Sequence, residues 1–291
     1  MKAVVVTGAT SGIGFAVCRE LMAGGYAVLG VGRSPERCQK ACEALREEFP
    51  GGRAVFFCGD LLQQREVRRL AGELRETIED FFSGRLYALV SNAGCVRSWY
   101  STTEDGFEQQ FALNHLAGFL LTHELLPCLL KGSLDGGGRV LLTSSASHKG
   151  MRMRWDDLMF RRRYHPLLAY KQSKLCNMLF AQALNERFAR AGLRAYGIDP
   201  GLVNTDIGCK QTGGLVSLVW SLRKRRGVSP EVPARTYAWI LDQPEAPEGL
   251  SYCRCGVKKT SRHVNRENAD RLFEISERLC GIQFGVVREC L

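Results

Sequence analysis

An α/β fold with a doubly wound parallel sheet is predicted by three observations. Short apolar, β-branched runs alternate with helical stretches, a glycine-rich turn joins the first run to the first helix, and the most distinctive polar motifs fall at the ends of the runs. Parallel strands with right-handed crossovers follow from that alternation, and ligands on such sheets bind beyond the carboxyl ends of the strands.

The elements follow in order. Lys2–Thr7 is apolar and β-branched, as a strand buried on both faces requires. After the glycine-rich turn, Phe15–Met22 reads as a helix stopped at Gly24-Gly25. Tyr26–Val31 is the second strand. Pro35 opens a helix to Glu48, at the position where its missing N–H matters least. Arg53–Cys58 is the third strand, Arg65–Phe82 an amphipathic helix and Tyr87–Val90 the fourth strand. Thr102 and Asp105 have capping-box spacing, which predicts a long helix from there to about Leu130. Arg139–Thr143 is the fifth strand, Leu168–Ala191 a helix stopped by Gly192, and Arg194–Ile198 the sixth strand. Helices over Pro230–Leu241 and Glu267–Leu279 and a short strand near Leu250–Cys253 complete the chain. Residues 206–228 lack strand character and are expected to form a small lobe over the active site. Without a linker or an internal repeat, residues 1–291 read as a single domain.

Composition narrows the function. The chain has 291 residues, 45% of them hydrophobic, enough for a large core. Its net charge is +10, which suits an anionic ligand or surface. The cations are spread, with short clusters only at Arg161–Arg163 and Arg223–Arg226, and zinc-finger or aromatic-rich RNA motifs are missing, so nucleic acid is not an expected partner. The 12 cysteines are scattered, the pair Cys253 and Cys255 has no usual zinc spacing, and no metal is expected. A strand-like start at Ala3 leaves no room for a signal peptide, and no apolar run approaches the ~20 residues that span a bilayer. A cytoplasmic location with reduced thiols is expected.

The turn Thr7-Gly8-Ala9-Thr10-Ser11-Gly12-Ile13-Gly14 lies between strand and helix. Glycines there let the backbone turn tightly and let a pyrophosphate approach, and the helix N-terminus offers N–H groups to it. The second strand ends in Gly32-Arg33-Ser34. An NAD site of this architecture usually has a carboxylate there for the ribose 2′-hydroxyl. Arg33 instead suits a 2′-phosphate, so NADP(H) is the expected cofactor, with NAD(H) left open.

Tyr170 and Lys174 stand at i and i+4 in Tyr170-Lys171-Gln172-Ser173-Lys174, one turn apart on one helix face. A phenol of pKa about 10 is a poor base near neutrality, and an adjacent ammonium favours the phenolate. Tyr170 can then give a proton to a carbonyl oxygen or take one from an alcohol, and Lys174 can also bond ribose hydroxyls.

With these motifs in place, the chain resembles the short-chain dehydrogenase/reductase family and its Rossmann fold. The resemblance runs through the glycine loop, Asn92-Ala93-Gly94, Ser144-Ser145, Tyr170-x-x-x-Lys174 and Pro200-Gly201, in the family's order. It implies that Ser145, rather than Ser144, holds the substrate oxygen, and that Asn114 kinks its helix and supports a water relay to Lys174. It implies cofactor contacts at Gly8, Thr10, Ser11, Gly12, Ile13, Gly14, Asp60, Leu61, Asn92, Ala93, Gly94, Pro200, Gly201, Val203 and Thr205. Asp60 would meet the adenine, Val203 the carboxamide and Thr205 the phosphate.

A narrower resemblance is to the retinol dehydrogenase-like branch, through Trp155-Asp156-Asp157-Leu158, Ser173–Phe180 and Arg271–Glu277. The chain departs from it at Pro233-Ala234-Arg235-Thr236, where relatives often have Gly-Ala-x-Thr, and in showing no N-terminal anchoring segment. The apolar stretch Gly213–Leu222 falls where the family builds its substrate lid, which suits a retinoid, steroid or long aldehyde. The Arg223–Arg226 cluster that follows reads as a solvated helix end in preference to a membrane contact. The expected protein is an NADP(H)-dependent oxidoreductase, homo-oligomeric as relatives often are. The alternative is a cofactor-binding regulator of the same fold without turnover.

Overall fold

The computed structural model describes residues 1–204 and 227–285. Its strands are β1 (Ala3–Thr7), β2 (Ala27–Gly32), β3 (Ala54–Cys58), β4 (Ala88–Ser91), β5 (Arg139–Thr143), β6 (Arg194–Ile198), β7 (Ser251–Cys253) and β8 (Gly256–Val257). They form one sheet in the order β3-β2-β1-β4-β5-β6-β7-β8. Every neighbouring pair is parallel except β7 with β8. The order reverses between β1 and β4, which opens a crevice at their carboxyl ends.

The side-chain alternation of the strands divides two cores. Ala3 and Val5 of β1 enter one, with Leu29 and Val31 of β2. Val4 and Val6 enter the other, with Val28. Period-two patterning explains why every one of these positions is apolar: both faces of the sheet are covered. The first core is roofed by α3 (Gln64–Phe82), which buries Val67, Leu70, Ala71, Leu74 and Ile78 at helical spacing. Each buried Val, Leu or Ile among them contributes about 1.5–3 kcal/mol. The second core is roofed by α1 (Gly12–Ala23) and α2 (Pro35–Glu48), joined by α6 (Glu231–Asp242).

A rod we label α4 runs through Gln109–Phe111, a π-helical turn at Ala112–Leu116 and Ala117–Ser133. It does not begin at Thr102. Thr102 bridges Glu108 as an isolated β-pair, and Glu108 caps the rod by accepting from the N–H groups of Gln110 and Phe111. Asp105 caps a different helix, accepting from the N–H of Gln64 at 2.9 Å at the start of α3. Helix α5 (Pro166–Phe188) starts two residues before the expected Leu168, because the His165 ring accepts from the Leu168 N–H and Pro166 is pre-set for the first turn. Helix α7 (Arg266–Cys280) packs against α5 in the first core.

Strand β8 was not expected. The hairpin before it turns on Arg254 (φ 52°) and Cys255 (φ 60°), both left-handed. Such turns are usually signalled by Asn or Gly, and neither occupies those positions. Among the described residues no helix is long and apolar enough to cross a membrane, and no cluster suits a metal ion.

Candidate active site

A cavity of about 940 Å³ opens at the carboxyl edge of the sheet. The glycine turn borders it through Gly8, Thr10, Ser11, Gly12 and Ile13. Ser11 is the N-cap of α1 yet makes no side-chain cap bond, and the first turn holds no acidic residue. The positive end of the helix therefore faces the cavity without an internal anion, a fit for a phosphate. Gly14 does not border the cavity. A Cβ there would lie 2.2 Å from the Gly8 carbonyl oxygen, so its bare backbone is what lets α1 seat on the turn.

Past β2 the cavity meets Arg33, Ser34 and Arg37. Ser34 caps α2 by accepting from the Arg37 N–H, which fixes both exposed arginines on one side of the opening. Past β3 come Gly59, Asp60 and Leu61, and Asp60 steadies its own turn by accepting from the Leu62 N–H at 3.1 Å. Past β4, Asn92, Ala93 and Gly94 line the floor. The Asn92 side chain donates to the Thr7 carbonyl at 3.2 Å and accepts from the Thr143 hydroxyl at 3.3 Å, joining β1 to β5 across β4.

Tyr170 and Lys174 both border the cavity from α5. The Lys174 ammonium is 5.5 Å from the centre of the Tyr170 ring and donates to the Thr143 carbonyl at 2.9 Å. Lys174 is buried, and burial pushes its ammonium pKa down to about 8.

The two candidate serines differ in their surroundings. The Ser144 hydroxyl is buried and donates to the Lys174 carbonyl at 2.9 Å, so it braces the helix. Ser145 is half-buried, borders the cavity and accepts only a long bond from the Ser147 N–H, at 3.3 Å. His148 donates from Nδ1 to the Ser145 carbonyl at 2.6 Å and holds that turn.

Asn114 sits inside the π turn and is buried. Its amide accepts from the Cys95 N–H at 2.7 Å and donates to the Cys95 carbonyl and the Ser173 hydroxyl. A Cβ on Gly94 would lie 3.1 Å from the Asn114 oxygen and 3.7 Å from the Lys174 nitrogen, so both side chains come close to the bare Gly94 backbone.

Pro200, Gly201, Leu202, Val203 and Asn204 close the cavity. Val203 pairs with Val228, and the Val228 N–H donates to the Leu202 carbonyl at 2.8 Å. Thr205, the segment Gly213–Leu222 and the Arg223–Arg226 cluster lie outside the described residues. Sequence reading missed Arg37, Cys95, Arg97, Leu113 and Lys171, which border the same cavity. Arg37 had a signal, four residues after Arg33 in the first turn of a proline-started helix.

The model of the short chain dehydrogenase family matches residues 2–213. The chain belongs to the short-chain dehydrogenase family. Mouse retinol dehydrogenase 12 is 33% identical over 288 residues, covering 97% of this chain and 87% of its own length. Human retinol dehydrogenase 13 is 33% identical over 301 residues, covering 99% and 87%. A solved structure of an uncharacterized Mycobacterium paratuberculosis protein superposes with a TM-score of 0.72 at 27% identity, covering 98% of this chain and 95% of that one. This short-chain dehydrogenase is thus of the retinol dehydrogenase-like kind, with the fold of an oxidoreductase.

Proposed function

We propose that this short-chain dehydrogenase moves a hydride between NADP(H) and a hydrophobic carbonyl or alcohol, with Tyr170 as the proton donor and acceptor. The observation that carries the reading is the placement of Tyr170 and buried Lys174 on one cavity with the glycine turn. The cofactor, when bound, supplies or accepts the hydride.

The remaining work belongs to the chain. Ser145 donates to the carbonyl oxygen and orients it. Tyr170 gives that oxygen its proton as the carbon is reduced, and takes it back in the reverse direction. The Lys174 ammonium stabilises the phenolate so formed and is anchored by the Thr143 carbonyl. Asn114 is a positioning residue: it ties the Cys95 backbone to Ser173, whose hydroxyl donates to the Tyr170 carbonyl. Arg33 and Arg37 favour the 2′-phosphate of NADP, and Asp60 and Leu61 flank the adenine. Leu113, Leu167 and Leu202 supply the apolar wall for substrate.

The test follows NADPH oxidation against long-chain aldehydes and ketones with wild-type protein and Tyr170→Phe. Turnover by the wild type and loss of about 10²-fold or more in the variant is the expected result. Turnover that survives the substitution overturns the role of Tyr170. NADPH binding without turnover of any carbonyl moves the protein to the regulator reading.

A further inference from the structure

A second cavity, of about 500 Å³, lies apart from the first. Lys149, Gly150, Met151 and Arg152 form one wall, and Thr260, Ser261, Arg262 and His263 the other. Among the described residues, none borders both cavities. Lys149, Arg152 and Arg262 bring three cations to the second one, and no acid borders it.

The sequence makes the imbalance. Residues 144–155 and 249–266 contain no Asp or Glu, and the fold brings these two segments together. Lys149, Arg152 and Arg262 are exposed, and among the described residues no carboxylate pairs with any of them. The backbone beneath them is held. On one wall the Met151 N–H closes the turn Ala146–Gly150 onto the His148 carbonyl at 3.1 Å. On the other, the Ser261 hydroxyl accepts from the His263 N–H at 3.2 Å, and the Asn265 and Asn268 side chains donate to the Arg262 and His263 carbonyls. His263 feels both walls: partial burial, and after it the charges of Arg262 and Arg152, hold its imidazole below the ordinary pKa. Asp199 acts with Lys149 on the His148 ring, but it does not border the cavity and accepts from the Gly201 N–H at 3.0 Å. A Cβ on Gly150 would meet nothing within 4 Å, so the opening is clear on that side.

Like charges held on facing walls repel one another unless an anion lies between them. A carboxylate brings one charge and two oxygens. A phosphomonoester brings a charge of about −1.5 to −2 and three acceptor oxygens, which three cations can share. We propose that this second cavity binds a phosphate group, carried by a free phosphomonoester or by a lipid headgroup, through Lys149, Arg152 and Arg262.

The experiment titrates glycerol phosphate and acetate calorimetrically into the full chain, with and without NADPH. It also sediments the protein with phosphatidylcholine vesicles that carry phosphatidic acid or, at matched surface charge, phosphatidylglycerol. The wild type is compared with the double substitution Arg152→Gln and Arg262→Gln. A control pair, Lys40→Gln and Arg65→Gln, removes the same charge from side chains that are 72% and 73% exposed elsewhere. The expected result is a preference for glycerol phosphate over acetate, or for phosphatidic acid vesicles over phosphatidylglycerol ones. That binding weakens about tenfold or more in the double variant and stays within about twofold in the control pair. Glycerol phosphate bound in solution assigns the site to a free phosphomonoester, and vesicle binding without it assigns the site to a headgroup. A phosphate bound equally well by the double variant, or displaced by NADPH, belongs to the first cavity and overturns the proposal. Equal losses in the control pair, or equal binding to both vesicle types by a protein that ignores glycerol phosphate, reduce the surface to net charge and overturn it as well. So does failure of both phosphate probes to bind.

Discussion

Lys174 donates from its ammonium to the carbonyl oxygen of Thr143 at 2.9 Å, so the last residue of β5 holds the cation that stands beside Tyr170. The bond crosses from helix to strand and fixes the distance between the two functional side chains. Replacing Lys174 by Met removes the charge while keeping a stem of similar length. NADPH turnover should fall by about 10²-fold or more, read against a carbonyl the wild type reduces.

The same lysine makes a stability prediction. Burial lowers its pKa to about 8, below the unfolded value near 10.5. Between those values the unfolded chain binds more protons than the folded one, so this group makes stability rise with pH across that window. Below pH 8 the folded state carries a buried charge at a cost on the order of 3 kcal/mol. Urea unfolding of cofactor-free protein at pH 7 and pH 9 should show that rise in the wild type and lose it in Lys174→Met.

Arg33→Ala should raise KM for NADPH by about tenfold while moving KM for NADH by less than about twofold. Arg37→Ala should act in the same direction, since Ser34 capping holds both arginines at one opening. Equal effects on the two cofactors would remove the basis for the NADP preference.

The serine pair separates chemistry from support. Ser145→Ala should lower kcat by about 10²-fold with little change in melting temperature. Ser144→Ala removes a buried bond to the Lys174 carbonyl and should destabilise by about 1 kcal/mol, with a smaller effect on kcat. The reverse pattern, in steady-state kinetics and thermal melts, would exchange the two assignments.

Arg139 is buried and donates to the carbonyls of Ile240, Leu241 and Gln243, closing the C-terminal end of α6. Tyr26 and Tyr87 donate to the Leu241 carbonyl as well. Arg139→Met takes the side-chain donor from the Ile240 and Gln243 carbonyls, while Leu241 keeps its two tyrosines, and should cost about 2–4 kcal/mol in urea unfolding. Cofactor affinity of the folded fraction should not change.

Much of the sheet was legible because burial on both faces demands unbroken apolar runs, and β1 through β6 carry them. The glycine turn was legible for a related reason: Gly14 leaves no room for a side chain against the Gly8 carbonyl, and that requirement is written as residue identity. The start of α4 was not. Thr102 and Asp105 match a capping box, but tertiary contacts direct Asp105 to α3 and leave the capping to Glu108, a residue with no such signature. The Arg254-Cys255 hairpin was hidden because neighbouring contacts hold two ordinary residues in left-handed geometry. Arg97 and Lys171 were equally silent, since Arg97 stands in a loop after β4 without a motif of its own and Lys171 is an unassigned neighbour inside the Tyr170–Lys174 pair.

The hairpin also decides how this sheet stops. β8 is two residues long, runs against its neighbour and is followed at once by Lys258 and Lys259. A border so brief and so charged offers no template on which the strand of another molecule could continue the ladder. Ribbon-like stacking of chains is blocked from that side.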